Sequence, residues 1–293
     1  MYFFVRRTIG HRPLPAIMFA DLFAASKPPY FEGPSMRPIL LPLAILVSLP
    51  LGPALGPALG QSGVVLDNKA QYENCMRLAD ETPEEAYKSG IAWFERGGGS
   101  AAEHCVATAL MNLGNYREAA ARLAALAETP DVKQRPTTRG LILSQAAQAW
   151  SELGEAGKAA AARDEAVALA PDDPELRLER AIARIAAGQH FEAIDDLNRA
   201  AETAPRRVDV LLIRASAYRY LGQLELARDD VDRALAIRPD FQDAILERGV
   251  IYRAEGDKDA ARRDFLWVLD VAPEGPAGDA ARMNLEEMDV RVE

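Results

Sequence analysis

The sequence is poor in the side chains from which metal and redox centres are built. Its 293 residues include two cysteines and three histidines, and His11, His104 and His190 lie far apart along the chain. Two cysteines are too few for a zinc ribbon or an iron–sulfur cluster, although they could form one disulfide. Because no Cys-x-x-Cys pair occurs, a thiol–disulfide enzyme is disfavoured. The composition therefore predicts no metal site and no cofactor.

Catalytic motifs are lacking as well. The sequence contains no nucleophile elbow and no zinc-protease helix motif. The glycines of Gly97–Gly99 are not followed by Lys-Ser/Thr, so they indicate a helix stop rather than a phosphate-binding loop. Adjacent acids such as Asp229 and Asp230 are expected to be solvated or capping groups. We therefore expect no catalytic residues and no enzymatic activity.

Positive charge is scarce. Lys and Arg number 34 against 44 Asp and Glu, which gives a formal net charge of −10 at pH 7. Nucleic acids and anionic membrane surfaces repel such a chain, so neither is expected as a partner. Hydrophobic residues make up 49% of the chain, which is enough for a sizeable core.

One long apolar run occurs, over residues 39–59. The basic start at Met36-Arg37, the apolar run and the small residues before Gln61 together predict a signal peptide over residues 36–60, cleaved near Gly60. The mature protein would then be periplasmic or secreted. Four prolines weaken a permanent membrane helix, yet an uncleaved inner-membrane anchor is the alternative, and only then would the protein contact a membrane. Residues 1–35 are expected to be untranslated or disordered.

A repeat of 34 residues organises the rest of the chain. This interval separates each glycine from the next in the series Gly154, Gly188, Gly222 and Gly256, and each proline from the next in the series Pro171, Pro205, Pro239 and Pro273. A small side chain, in most copies alanine, recurs seven residues before and five and twelve residues after each glycine. An earlier copy is centred on Gly114. Its longer distance to Gly154 indicates an insertion around residues 131–138.

This spacing predicts pairs of antiparallel helices. Two helices approach closely only where both present small side chains, a glycine ends the first helix in a left-handed conformation, and a proline follows the second. The sequences Leu-Gly-Asn-Tyr-Arg-Glu-Ala-Ala (113–120) and Ala-Leu-Ala-Ile-Arg-Pro-Asp (234–240) resemble the turn and the exit of the tetratricopeptide repeat (TPR). The resemblance implies an all-α, right-handed α-solenoid that binds proteins or peptides.

Five such units are expected over residues 100–275, between two helical caps. Residues 61–99 are predicted to form an N-terminal helical cap or a degenerate repeat, and residues 276–293 a C-terminal capping helix. Capping boxes at Thr82–Glu85 and Ser100–Glu103 are expected to open the second and third helices, with the second helix reaching about Arg96. A Cys-bearing helix, a Trp-bearing helix and a glycine triplet before His-Cys also resemble exported bacterial TPR proteins.

Cys75 and Cys105 lie on the first and third of these predicted helices. In an exported chain they are expected to form a disulfide that links the cap to the repeats, and the alternative is two buried free thiols. His104 adjoins Cys105, but adjacent helical residues diverge by about 100°. We therefore favour a structural or surface histidine over a metal ligand.

An arginine and an aspartate recur in phase with the repeat. Both occur in the last three units and both are missing from the first two, which predicts a repeated ion pair, with unrelated surface charges as the alternative. The predicted pairs comprise Arg180, Asp196, Arg214, Asp230, Arg248 and Asp264.

The TPR resemblance implies that the first helix of each unit lines a concave groove. The groove residues that follow from it are Gln145, Gln148, Leu178, Ile182, Leu212, Ser216, Arg219, Tyr220, Leu246, Val250 and Arg253. The C-terminal part of this groove is expected to be apolar, with Arg219, Tyr220 and Arg253 as polar anchors. An amphipathic helix or an extended peptide is the expected ligand. The alternative is that the protein's own termini or a second copy fill the groove.

These observations favour a non-enzymatic adaptor or scaffold that binds an unidentified protein or peptide in the bacterial cell envelope. Two alternatives remain. One is a membrane-anchored scaffold of an envelope assembly or secretion machine. The other is a cryptic enzyme or metal site in the N-terminal cap.

Overall fold

A computed structural model describes residues 68–289 of the chain. The predicted signal peptide, its cleavage site and residues 1–35 lie outside the described residues. Within residues 68–289 the secondary structure is helical and contains no strand, so the all-α prediction is confirmed. Across the same residues, no helix is both long enough and apolar enough to cross a membrane.

The helices follow one another with short connections. They are α1 (Asn68–Glu81), α2 (Pro83–Trp93), α3 (Gly99–Asn112), α4 (Tyr116–Ala127), α5 (Pro130–Lys133), α6 (Pro136–Glu152), α7 (Ala156–Leu169), α8 (Pro174–Ala186), α9 (His190–Thr203), α10 (Val208–Tyr220), α11 (Leu224–Ile237), α12 (Gln242–Glu255), α13 (Lys258–Val271) and α14 (Pro276–Asp289).

Consecutive helices pack as hairpins that stack into a solenoid. Pairs α3–α4, α6–α7, α8–α9, α10–α11 and α12–α13 are the five repeat units, and the second helix of each unit packs on the first helix of the next element. A single hairpin cannot bury its apolar face, so the core runs continuously between neighbouring units. The α-solenoid predicted from the repeat is confirmed.

The same turn joins the two helices of each unit. Gly188, at φ 74°, donates its N–H to the carbonyl of Ile185, and Gln189 donates to Arg184 over 2.8 Å. This pair of bonds is a Schellman motif, which requires a left-handed residue at the glycine position. The other turn glycines have φ between 71° and 88°, and a Cβ at any of them would meet nothing within 4 Å. Backbone conformation rather than crowding therefore selects glycine here.

The small residues of the repeat lie where the helices cross. Ala181, Ala193 and Ala200 of the third unit are fully buried, as are their counterparts in the neighbouring units. At Gly249 a Cβ would lie 2.7 Å from a ring carbon of Phe265. A glycine replaces the usual alanine at this crossing because the large phenyl ring occupies the space.

A row of core residues lies nine positions after each turn glycine. Leu123, Leu197, Val231 and Phe265 hold this position in four units, and each is fully buried. The second unit has Arg163 there instead. Arg163 is partly buried and donates to the hydroxyl of Ser151 over 2.9 Å. One unit therefore places a cation where the others place their apolar core.

The N-terminal helices differ in detail from the sequence prediction. Helix α2 ends at Trp93, and the chain kinks within Phe94–Gly98, where Gly97 has φ 90°, before α3 begins at Gly99. Neither predicted capping box forms: the Thr82 side chain does not cap α2, and the Ser100 hydroxyl donates to the Asp131 carboxylate over 2.9 Å. Because α3 starts before Ser100, that serine lies inside the helix and cannot serve as its N-cap.

The two ends of the stack are covered by helices. At the N-terminal end, α1 packs against both α2 and α3. At the C-terminal end, α14 packs against α12 and α13, with Ala281 fully buried and Leu285 and Met288 against the same core. The predicted Val292 contact lies outside the described residues.

Candidate functional site

The first helices of the units form one continuous surface. Helices α6, α8, α10, α12 and α14 contact one another in this order, whereas each second helix packs between the first helix of its own unit and the first helix that follows. The closer spacing on the first-helix side makes that side of the stack concave. We call this surface, formed by α3, α6, α8, α10 and α12, the inner face.

Four predicted groove residues are interior residues instead. Leu178 and Leu212 are 3% exposed, and Ser216 and Val250 are 4% exposed. Consecutive first helices pack so closely that side chains at these positions are covered by the neighbouring helix. Their assignment to an open contact surface is corrected by the structure.

The other predicted groove residues are more accessible. Gln148 is exposed, and Ile182 and Leu246 are partly buried. Tyr220 is 38% exposed. Its ring stacks on the imidazole of His190, with the ring centroids 4.7 Å apart.

The predicted arginine anchors make ion pairs within the chain. Arg219 Nε lies 2.7 Å from Glu247 Oε1, and the two side chains are 10% and 4% exposed. The Arg219 guanidinium also lies 5.0 Å from the centroid of the Tyr220 ring. Arg253 forms an ion pair with Glu287 of α14. Arg219 and Arg253, predicted as polar anchors of the groove, are thus neutralised by Glu247 and Glu287.

Polar side chains connect the N-terminal first helices across unit boundaries. The His104 ring lies within hydrogen-bond distance of the Tyr72 hydroxyl (2.7 Å) and of Gln145 Oε1 (2.6 Å). Burial lowers the pKa of His104, although its bond to Gln145 opposes this effect. Both imidazole nitrogens are thus engaged in contacts between helices, which is a structural role. Gln145, predicted as a groove residue, is one of the two partners.

The Ser144 hydroxyl donates to a carboxylate oxygen of Glu179 across the boundary between α6 and α8. Burial, followed by repulsion from Glu175, raises the pKa of Glu179 to about 7, and attraction to Arg163 opposes the shift. The Ser144 hydroxyl carries no charge, so it does not neutralise the Glu179 carboxylate. Among residues 68–289, no cationic side chain forms an ion pair with Glu179.

Other carboxylates line the same face. Arg207 bridges Glu175, over 2.5 Å, and Asp209. Burial raises the pKa of Asp243, and attraction to Arg238 opposes it. Some carboxylates of the inner face thus pair with arginines, whereas Glu179 and Asp243 make no ion pair within residues 68–289.

In each of the last three units, the recurring arginine of the first helix contacts the recurring aspartate of the second helix. Arg180 contacts both oxygens of Asp196 at 2.7 and 2.8 Å, Arg214 contacts Asp230 at 2.6 and 2.7 Å, and Arg248 contacts Asp264 at 2.8 Å twice. These are two-pronged contacts in which the planar guanidinium matches the carboxylate. The side chains of Asp196 and Asp230 are 1% and 2% exposed. Hydrogen bonds to the aspartates raise the pKa of all three arginines.

Cys75 of α1 and Cys105 of α3 face each other in the core of the N-terminal end. Their Sγ atoms are within bonding distance and their Cα atoms are 6.1 Å apart. The two residues are 4% and 0% exposed. No group of three or more His, Cys, Asp or Glu that could hold a metal ion occurs in the part of the chain that the structure describes.

Residues 208–241, which span α10 and α11, match the family model of the tetratricopeptide repeat. No curated protein matches the sequence. Among solved structures, Cut9 in the APC/C hetero-tetramer Cut9–Hcn1 is 16% identical with a TM-score of 0.59, over 75% of this chain and 43% of that one. MamA from Desulfovibrio magneticus RS-1 is 18% identical with a TM-score of 0.51, over 66% and 97% of the two chains.

A third similar structure is YrrB, described as a TPR protein with an unusual peptide-binding site. It is 16% identical with a TM-score of 0.50, over 66% of this chain and 96% of that one. At such identities the likeness establishes the fold. Residues 208–241 match the tetratricopeptide-repeat model, and the stacked hairpins around them share the fold of these TPR structures.

Proposed function

We propose that the chain is a non-enzymatic adaptor that binds a protein or peptide partner along its inner face. The observation that carries this proposal is the continuous surface of first helices, on which accessible Gln148, Ile182, Tyr220 and Leu246 lie between partly buried carboxylates. A surface with mixed apolar and charged groups suits an extended or helical segment. The peptide-binding site described for YrrB, which shares the fold, supports the proposal.

Site-specific photo-crosslinking tests where the partner binds. A benzophenone amino acid is placed at Gln148 on the inner face, and in a matched variant at Leu266 of α13, which is 52% exposed on the second-helix side. After irradiation in the native cells, the adaptor proposal requires a protein adduct that forms through residue 148 and is missing from the residue 266 variant. Adducts formed only through residue 266 would contradict it.

We further propose that the adaptor acts in the bacterial cell envelope, after export, with a Cys75–Cys105 disulfide that fastens α1 to α3. The facing buried cysteines and the apolar run at residues 39–59 support this location. Mass spectrometry of the mature N-terminus and a thiol count on unreduced protein test it. A mature chain that starts near Gln61 and has no free thiol is expected. Retention of residues 39–59 would favour an anchored scaffold, and two free thiols would contradict the disulfide.

A further inference from the structure

The carboxylates at the inner face differ in whether an arginine pairs with them. Its carboxylates are Glu175, Glu179, Asp209, Asp243 and Glu247. Arg207 is shared by Glu175 and Asp209, and Arg219 is paired with Glu247. Within residues 68–289, Glu179 and Asp243 make no ion pair. Of these five carboxylates, Glu179 and Asp243 are therefore the two that pair with no guanidinium, and Glu175 and Asp209 share one.

Glu179 has the surroundings of a site that a cation would complete. Its carboxyl group is partly buried between α6 and α8 and bonds to the Ser144 hydroxyl, which is neutral. The charged groups around it are Glu175 and Asp173 near the start of α8, Arg163 of α7, and Arg207 before α10. Arg163 donates to the neutral Ser151 hydroxyl and attracts Glu179 without forming an ion pair with it, and Arg207 is held by Glu175 and Asp209.

Desolvation of a carboxylate without a cationic partner costs free energy, and an incoming cation recovers it. Ile182 lies one turn further along α8, on the same helical face as Glu179, and is partly exposed. Gln148 of α6 is exposed one turn after Ser144. A charged contact and an apolar contact are thus one helical turn apart.

We propose that the inner face binds a basic segment of the partner, in which a lysine or arginine pairs with Glu179 and a neighbouring apolar side chain contacts Ile182. This inference rests on the proposed adaptor function and names the chemistry of its ligand. Charge complementarity selects this occupant, because the whole chain carries a net charge of −10 and the Glu179 carboxyl group on the inner face makes no ion pair within residues 68–289. An acidic segment would meet the same carboxylates unfavourably.

Binding of a cation requires the ionised form of Glu179. The pKa of the free carboxyl is raised to about 7 by burial, so the free protein holds a proton there below neutral pH. The basic segment must displace that proton, and its affinity therefore rises as the pH increases through about 7. Where one proton is released, the dissociation constant changes by up to about tenfold per pH unit below that value.

Fluorescence anisotropy with designed peptides tests the proposal. The probes are labelled 12-residue peptides in which lysine alternates with leucine pairs, together with versions that carry glutamine or glutamate in place of lysine. Proteins are the wild type, Glu179→Gln and, as a matched control, Glu192→Gln, whose site is exposed on α9. Glutamine keeps the size of the side chain and a bond to Ser144, and circular dichroism verifies that each variant is folded.

The lysine peptide is expected to bind the wild type more tightly than the glutamine and glutamate peptides. Glu179→Gln should weaken the lysine peptide roughly tenfold, the effect of losing one charged contact, and abolish the rise in affinity between pH 6 and 8. Glu192→Gln should leave both unchanged. Equal affinity of the wild type and Glu179→Gln, or the same pH dependence in both, would overturn the assignment.

Crosslinking at position 148 separates this inference from the adaptor proposal. If an acidic or neutral partner segment is captured there, the inner face binds a partner and the basic-segment proposal alone is refuted. If the captured segment contains lysine or arginine and its capture depends on Glu179, both proposals are supported. If nothing is captured at position 148, both are refuted.

Discussion

The ion pair between Arg214 and Asp230 is the most direct test of how the repeat units are held together. The Asp230 side chain is 2% exposed and receives Arg214 at 2.6 and 2.7 Å and Arg233 at 3.0 Å. Arg214 is 12% exposed and also donates to Asn198 over 3.0 Å. Removing Asp230 leaves the Arg214 guanidinium without its carboxylate, and removing Arg214 leaves the buried Asp230 with only the more exposed Arg233, so each loss costs on the order of 3 kcal/mol.

We expect Arg214→Ala and Asp230→Ala each to lower the free energy of unfolding by about that amount. For a folded region of this size, 3 kcal/mol corresponds to a fall in Tm of roughly 6–12 °C. The double variant should be less destabilised than the sum of the two single variants, because it leaves no buried unpaired charge. Replacing the pair by methionine and leucine should restore most of the stability, since buried ion pairs often contribute little over well-packed apolar groups.

The assay is thermal and urea unfolding followed by circular dichroism. Arg199→Ala is the matched control, because Arg199 pairs with Asp172 on the surface, where the side chains are 44% and 66% exposed. Arg199→Ala should lower the free energy of unfolding by no more than about 1 kcal/mol. If both single variants at Arg214 and Asp230 have the Tm of the wild type, or if they lose no more stability than Arg199→Ala, the ion pair does not stabilise the packing of the two helices.

Three further predictions concern packing, covalent linkage and pH. Gly249→Ala should destabilise by about 1–3 kcal/mol in urea unfolding, because its Cβ would lie 2.7 Å from the Phe265 ring; unchanged stability would show that the ring moves freely. If the proposed disulfide forms, the double variant Cys75→Ser/Cys105→Ser should have a free energy of unfolding about 3 kcal/mol lower than that of the unreduced wild type. The wild type in reductant should be destabilised by the same amount. Equal stability of the oxidised and reduced wild type would refute the disulfide. Burial raises the pKa of Glu179 from 4.5 to about 7, so between these pH values the folded state binds a proton that the unfolded state has released. The free energy of unfolding should therefore fall as the pH rises from 4.5 to 7, by up to about 3 kcal/mol from this group. In Glu179→Gln this part of the pH dependence should vanish, and a pH profile identical to that of the wild type would contradict the prediction.

The hairpins could be predicted from the sequence because their determinants are local. Each turn glycine adopts a left-handed φ, and alanines such as Ala193 and Ala227 are buried where two helices cross. Both features depend on spacing within one unit. The in-phase recurrence of Arg180 and Asp196 predicted a contact for the same reason, since both residues belong to one helical hairpin.

The inner face could be predicted only in part, because exposure there depends on how closely consecutive units approach. Leu178 and Leu212 have the expected helix and the expected face, yet the neighbouring first helix covers them. The TPR resemblance makes Arg219 a polar anchor of the groove, but Glu247 of the following unit neutralises it. Such contacts join residues of different units, and periodicity within a unit does not specify them.

One signal in the sequence could have identified the Glu179 region. Arg163 occupies a position that is leucine, valine or phenylalanine in the other four units, and Glu179 lies in the next helix. A departure from an otherwise apolar row marks a place where packing does not determine the residue. The surroundings of both side chains depend on how the second and third units pack against each other, which the sequence of one unit does not specify.

The central claim is that a partner segment binds along the first helices of the stacked units. Hydrogen–deuterium exchange on the purified chain, with and without the segment captured by crosslinking at position 148, measures this directly. The account predicts slower exchange in peptides from α6, α8 and α10 and unchanged exchange in α7, α9 and α11. Protection confined to the second helices, or none at all, would contradict it.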